Sequence, residues 1–199
     1  MRSPFLMAQV VCTGCIGVLL LITSPLQADD QMLDAGLTPL APLAGWCWQG
    51  KIDATTTQVR CFEVFWNGEH VRERILEVVD PATSMREALK FWNAKTLPAD
   101  TGRFERIYSG PDAENGSIRY VGWGTAGQQQ TGTLVSRGNS LKLHDPAISD
   151  SSTNRPSLSV VWRDIDETSF NEVSTMFHEG KKSERLIHFF RRPLVDFGL

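Results

Sequence analysis

The 199-residue, 22.2-kDa chain is the size of one ordinary domain once a targeting segment is set aside, which excludes a multidomain machine. Against 20 Lys and Arg stand 23 Asp and Glu, for a net charge of −3 and a pI near 5.8, so no basic field exists to recruit nucleic acid or an anionic membrane. With 6 Trp and 10 Phe in a composition that is 41% hydrophobic, the chain has enough apolar material for a core and is not a disordered polymer.

The chain opens with Arg2 and an apolar stretch from Val10 to Ile22, followed by Thr23, Ser24, Pro25, Ala28 and the acidic pair Asp29 and Asp30. This order of basic, apolar and small residues predicts a secretory signal peptide over residues 1–28. The stretch is shorter than the roughly 20 residues a membrane span needs, and no basic stop-transfer residues follow it; an uncleaved anchor is the alternative. Most of the apolar run, Val18 to Ile22, follows Cys15, which argues against processing and lipidation at that cysteine. Removal of residues 1–28 takes away Cys12 and Cys15. It leaves Cys47 and Cys61 in a domain of residues 29–199 that is exported to a periplasmic or extracellular space. An even pair in an oxidising compartment predicts one disulfide, with two buried free thiols as the alternative.

Gly45 to Ile52 and Gln58 to Trp66 are aromatic and β-branched runs flanking a polar Asp53-Ala54-Thr55-Thr56 turn, the pattern of a hairpin. Centred on Ala54, it sets Cys47 opposite Cys61, Trp46 opposite Phe62 and Trp48 opposite Arg60. Asn67-Gly68 predicts a tight turn into a third strand, Glu69 to Val79, with Glu63 opposite Arg72 on a solvent face and Phe62 opposite Glu73 on an interior face. Ser84-Met85-Arg86-Glu87 has the form of a capping box. Met85, Ala88, Leu89 and Trp92 behind it predict a short helix over residues 84–94, with a strand through residues 88–93 as the alternative. Further strands are predicted at Arg103 to Ser109, Ser117 to Trp123, Gln130 to Arg137, Ser140 to His144, Ser157 to Asp164, Thr168 to Phe177 and Glu184 to Arg191. Turn signals such as Asn115-Gly116 and Arg137-Gly138-Asn139 separate them. A meander of this length either exposes two edges or closes on itself. The expected fold class is therefore all-β, an antiparallel up-and-down β-barrel of about 8–10 strands with one short inserted helix.

Motifs for catalysis are weak. Gly122-Trp123-Gly124-Thr125-Ala126-Gly127 matches a dinucleotide fingerprint in letters, but a strand-like run rather than a helix follows, so it predicts a glycine-rich turn. His178-Glu179-Gly180 lacks the second histidine of a zinc helix, and no Gly-x-Ser-x-Gly elbow occurs. The informative polar residues are Arg60 and Glu73, which the hairpin registers send inward. Charges inside a barrel must be paired or wet, so they imply an ion pair, a polar ligand or water; Arg60 stacked on Trp48 as a plug is the alternative. A final hairpin centred on Gly180 would set His188 opposite Glu172 and Phe190 opposite Phe170. Such a His and carboxylate could be a surface pair or an acid and base.

The entry Leu40-Ala41-Pro42-Leu43-Ala44-Gly45-Trp46-Cys47-Trp48-Gln49-Gly50 and the terminal Arg191-Arg192 resemble the calycin group, meaning lipocalins and their bacterial lipocalin-like and nitrobindin-like relatives. Together with Cys47, Cys61 and Val71-Arg72-Glu73-Arg74, the entry is also similar to small exported bacterial proteins of unassigned function. The resemblance implies a barrel with an interior site and a packing pair of Trp48 with Arg191. It implies no cofactor, although a nitrobindin-like relative would offer haem to His188. The expected function is monomeric binding of a small hydrophobic or amphiphilic molecule by Trp48, Arg60, Phe62, Glu73 and His188, with no catalytic residue, no metal, no nucleic acid and no membrane anchor after processing. The alternatives are an isomerase or hydratase with His188 and Glu172 as acid and base, and an envelope interaction protein whose core is filled by its own tryptophans.

Overall fold

The computed structural model describes residues 32–79, 101–111, 116–124, 127, 129–144, 157–178 and 181–192. Its strands are β1 (Trp46–Lys51), β2 (Thr56–Phe65), β3 (His70–Val79), β4 (Thr101–Pro111), β5 (Ile118–Gly124), β6 (Gln129–Arg137), β7 (Ser140–His144), β8 (Ser157–Arg163), β9 (Ser169–His178) and β10 (Lys181–Arg192). Each strand pairs antiparallel with its sequence neighbour, and β1 pairs with β10, so the sheet closes as the ten-stranded up-and-down barrel that the alternating pattern predicts. The closing seam needs Gly50, where a Cβ would come within 2.6 Å of Ile187 Cγ2.

The first two hairpins have the predicted registers. Cys47 faces Cys61 and is bonded to it, Trp48 faces Arg60, and Phe62 faces Glu73. Asp53 stabilises the first turn, its Oδ1 accepting from the backbone N–H groups of Thr55 and Thr56 at 2.7 Å each. In the second turn Asn67 and Gly68 adopt φ of 55° and 89°, the left-handed conformations for which Asn-Gly is suited. The face around the disulfide is less polar than predicted. Glu63 does pair with Arg72 and Arg74 there, but Cys47, Val59, Cys61 and Leu76 on the same outer face are buried. Replacing both cysteines by serine is expected to lower stability by about 3 kcal/mol, read as a drop in urea midpoint with little change in slope, and to make the variant indifferent to reductant.

The Leu-rich lead closes one end of the barrel. Ala35–Leu40 forms a 3-10 helix capped by Asp34, whose Oδ1 accepts from Gly36 N–H at 2.7 Å. Asp34 N–H in turn donates to Gly68 O at 3.0 Å, fastening the lead to the β2–β3 turn. Leu37, Leu40 and Leu43 are fully buried in the core cluster, and Trp48 Nε1–H donates to Leu43 O at 3.2 Å. The opposite end, where β3 leaves and β4 enters through residues outside the described set, is termed the mouth.

The last hairpin departs from its predicted register by one residue. Phe189 faces Phe170, Ile187 faces Glu172, and His188 faces Asn171. Because side chains alternate across a sheet, this slip reverses the faces: Ile187 and Phe189 go in, while His188 and Phe190 go out. Burying an isoleucine and a phenylalanine outweighs burying an imidazole and one phenylalanine. The predicted inserted helix over residues 84–94, the Asn115 turn residue and the signal segment 1–28 lie outside the described residues. Among the described residues, no helix is long and apolar enough to cross a membrane.

Candidate functional site

Strand alternation divides the barrel interior into three levels. The lowest, against the leucines of the 3-10 helix, is a packed aromatic cluster. Phe170 stacks on Phe189 at 4.7 Å between ring centroids, meets Trp48 edge-on at 5.3 Å and lies 6.1 Å from Trp162; Phe62 meets Trp162 edge-on at 5.7 Å. Trp48, Trp162, Phe170 and Phe189 are 0% exposed.

Across the middle runs a buried layer of charge. Glu73 Oε1 accepts from Arg60 Nη1 at 2.8 Å, and its Oε2 accepts from Arg106 Nη1 at 3.0 Å and from Tyr108 OH at 2.6 Å. Arg60 Nη2 binds Glu172 Oε2, which also accepts from Trp162 Nε1 at 2.9 Å, while Glu172 Oε1 accepts from Ser174 Oγ at 3.0 Å. Arg60 Nε donates to Gln58 Oε1 at 2.9 Å, and Gln58 Nε2 donates to Glu77 Oε1 at 2.7 Å. The Arg60 guanidinium lies 5.1 Å from the Phe189 ring centroid and 5.6 Å from that of Trp162. Burial alone would push the Glu73 carboxyl up, but Arg106, Arg60 and the Tyr108 hydroxyl together hold it below its ordinary value. Burial first, and then the neighbouring Glu73 carboxylate, push the Tyr108 hydroxyl well up, so it stays a donor. Two arginines and two glutamates form the fully buried part of the layer, with the half-buried Glu77 at its edge, and every oxygen of Glu73 and Glu172 accepts at least one hydrogen bond. That compensation is what makes buried charge tolerable.

Toward the mouth end the inner wall is less completely covered. Arg106, Val160 and Ser174 are still buried, Phe104, Gln130 and Leu158 are half-buried, and Met176 is exposed. Phe104 packs over the Arg106 guanidinium at 4.9 Å, an approach that requires glycine at 122, where a Cβ would lie 2.8 Å from the Phe104 ring. Among the described residues, the inner wall at this end is apolar beyond a polar layer.

The residues singled out from the sequence are spread over these levels. Trp48 and Phe62 belong to the packed lower cluster, and Arg60 and Glu73 form the centre of the charge layer. Arg60 stacks on Phe189 and Trp162, not on Trp48. His188 is on the outer face, with Nδ1 2.7 Å from Asn171 Oδ1 and its ring against Phe190 at 4.3 Å. The register therefore removes His188 from the interior as a ligand or haem contact and breaks the acid–base pair with Glu172. Trp48 and Arg191 are cross-strand partners, but the packing that the resemblance implied for Trp48 falls on Trp46 instead, the Arg191 guanidinium lying 3.0 Å from its ring centroid.

Arg106, Tyr108, Trp162 and the interior role of Glu172 were not identified from the sequence. A signal for Arg106 was present: it alternates in phase with Phe104 and Tyr108, which marks an arginine on an apolar strand face. Among the described residues, no group of three His, Cys, Asp or Glu side chains is placed to hold a metal ion.

No family model matches the chain, and no curated protein does. Among solved structures it is similar to the crystal structure of Rv2717c from M. tuberculosis, with a TM-score of 0.50 and 15% sequence identity, the match covering 81% of this chain and 99% of that one. At that identity the likeness is one of fold.

Proposed function

We propose that the protein is an exported, lipocalin-like barrel of the calycin type that binds one small, partly apolar molecule in the mouth half of its interior, as a monomer and without a cofactor. The observation that carries this reading is the change in burial along the inner wall: Trp48, Trp162, Phe170 and Phe189 below the charge layer are fully buried, whereas Phe104, Gln130 and Leu158 beyond it are only partly so. Apolar walls over a few convergent polar groups are the usual composition of a small-molecule site. In this reading Arg60 and Glu73 build the floor, with Trp48 and Phe62 supporting it from below, and the ligand touches Phe104, Arg106, Gln130 and Leu158. Export is supported by the signal-like segment 1–28 and by the Cys47–Cys61 disulfide.

Titration of the purified protein with N-phenyl-1-naphthylamine, whose emission rises in apolar surroundings, is expected to give saturable one-to-one binding. Leu158→Trp, which fills the mouth without touching the charge layer, is expected to weaken that binding by about tenfold at an unchanged melting temperature. Absence of saturable binding would remove the proposal.

A further inference from the structure

We infer that the mouth recognises its ligand through an uncharged oxygen acceptor, the carbonyl of an amide or ester, received by Arg106, and that it discriminates against acids and amines of the same skeleton. The inference rests on the binding reading above and supplies the chemistry of the guest's polar end.

The two interior arginines are not equivalent. Arg60 commits all three nitrogens, to Gln58, Glu73 and Glu172. Arg106, whose side chain is 9% exposed, commits one well, Nη1 to Glu73 at 3.0 Å. Its Nη2 reaches Gln130 Oε1 only at 3.4 Å, and its Nε is buried with no hydrogen-bond partner among the described residues. Nε–H and Nη2–H share one edge of the planar guanidinium, so a complete donor edge stands nearly unused beside the mouth. Nine in ten buried polar groups are paired in native proteins, and one that is not calls for an acceptor from elsewhere.

Charge decides which acceptor. Arg60 and Arg106 are already matched by Glu73 and Glu172. A ligand carboxylate would enter beside Glu73 and the half-buried Glu77, where both arginines are already matched, with desolvation and like-charge repulsion both opposed to it. An ammonium or other pure donor brings no lone pair to the Arg106 edge and sets a second positive charge beside that guanidinium. A carbonyl brings lone pairs and no charge. It satisfies the Arg106 edge at the cost of one long bond to Gln130.

Displacement of N-phenyl-1-naphthylamine from the full chain by decanamide, methyl decanoate, decanoate and decylamine at pH 8 tests this with chain length held constant. The amide and the ester are expected to displace the dye at concentrations about tenfold below those of the acid and the amine. Arg106→Lys, which keeps a cation for Glu73 but loses the two-donor edge, is expected to shrink that preference to less than about threefold. Should the lysine variant fold poorly, Gln130→Leu serves instead. Without its loose internal acceptor, Arg106 is expected to hold decanamide about threefold more tightly while decanoate stays weak. Equal displacement by all four compounds, or a preference for decanoate, would overturn the inference and leave the binding reading standing. Failure of the dye itself to bind would remove the reading first.

Discussion

Glu73→Gln is expected to lower the stability of the barrel by about 3–5 kcal/mol, the scale for removing one partner of a buried ion network and leaving the opposite charges without compensation. Glu73 is 0% exposed and is the one carboxylate that joins both interior guanidiniums and the Tyr108 hydroxyl. For a domain of this size, the loss corresponds to a fall in melting temperature of about 10 °C or more. The outer-face pair of Glu63 with Arg72, half-exposed and screened, supplies the contrast: Glu63→Gln is expected to cost less than about 1 kcal/mol. The same geometry sets a pH dependence. The Glu73 carboxyl titrates below its ordinary value in the folded barrel, so the unfolded chain takes up the proton first. Its stabilising contribution is present above the ordinary value of 4.5 and is lost as pH falls from there through the folded value. Thermal melts of the native protein should therefore show a steep acid limb below about pH 4.5, and Glu73→Gln should show a lower but flatter one. At the other end of the scale the sign reverses. Tyr108 keeps its proton in the fold well above its ordinary value of 10.0, so stability falls as pH rises beyond that value and the unfolded chain ionises. Equal acid limbs in the two proteins would show that Glu73 does not hold the layer together.

How much of this was legible in the sequence follows from what fixes a register. The first hairpins were readable because short turns bind them: Asp53 and Asn67-Gly68 each leave one register, and that places Cys47 on Cys61 and Glu73 one pair from Arg60. Closure was readable from the count of alternating runs, since an open meander would leave edges. Arg106 and Tyr108 arrive on β4 after a long connection from β3, so no turn geometry announced that they would meet Glu73, although their phase with Phe104 announced which face they would take. Glu172 was readable as a carboxylate beside Phe170 and Ser174 on one strand face, but its partner, Arg60 on β2, lies across the barrel and not along any hairpin. A ladder is local and leaves a trace in sequence; a contact through the lumen is decided by closure and leaves none. His188 failed for a smaller reason. A one-residue difference in the assumed centre of the last turn exchanges inside for outside, and only the burial of Ile187 and Phe189 distinguishes the two arrangements.

That distinction leads to the second large effect. Phe170→Ala is expected to cost about 3–5 kcal/mol, because the ring is fully buried and enclosed by Trp48, Trp162 and the stacked Phe189, leaving a cavity that neighbours on three different strands cannot fill without moving the barrel wall. Urea unfolding should show the midpoint falling at nearly constant slope, and near-ultraviolet circular dichroism should show Trp48 and Trp162 losing their fixed surroundings. Phe190→Ala is the informative companion. Phe190 is the residue that a hairpin centred on Gly180 would place opposite Phe170, yet here it is 53% exposed and its cross-strand partner is Ser169. Its truncation is expected to change stability by no more than about 0.5 kcal/mol, the range of ordinary surface substitutions. A cost for Phe190→Ala matching that of Phe170→Ala would mean that the last hairpin is shifted by one, with His188 inside beside Glu172. The charge layer would then contain an imidazole, and the matching of Arg60 and Arg106 by Glu73 and Glu172 would no longer hold.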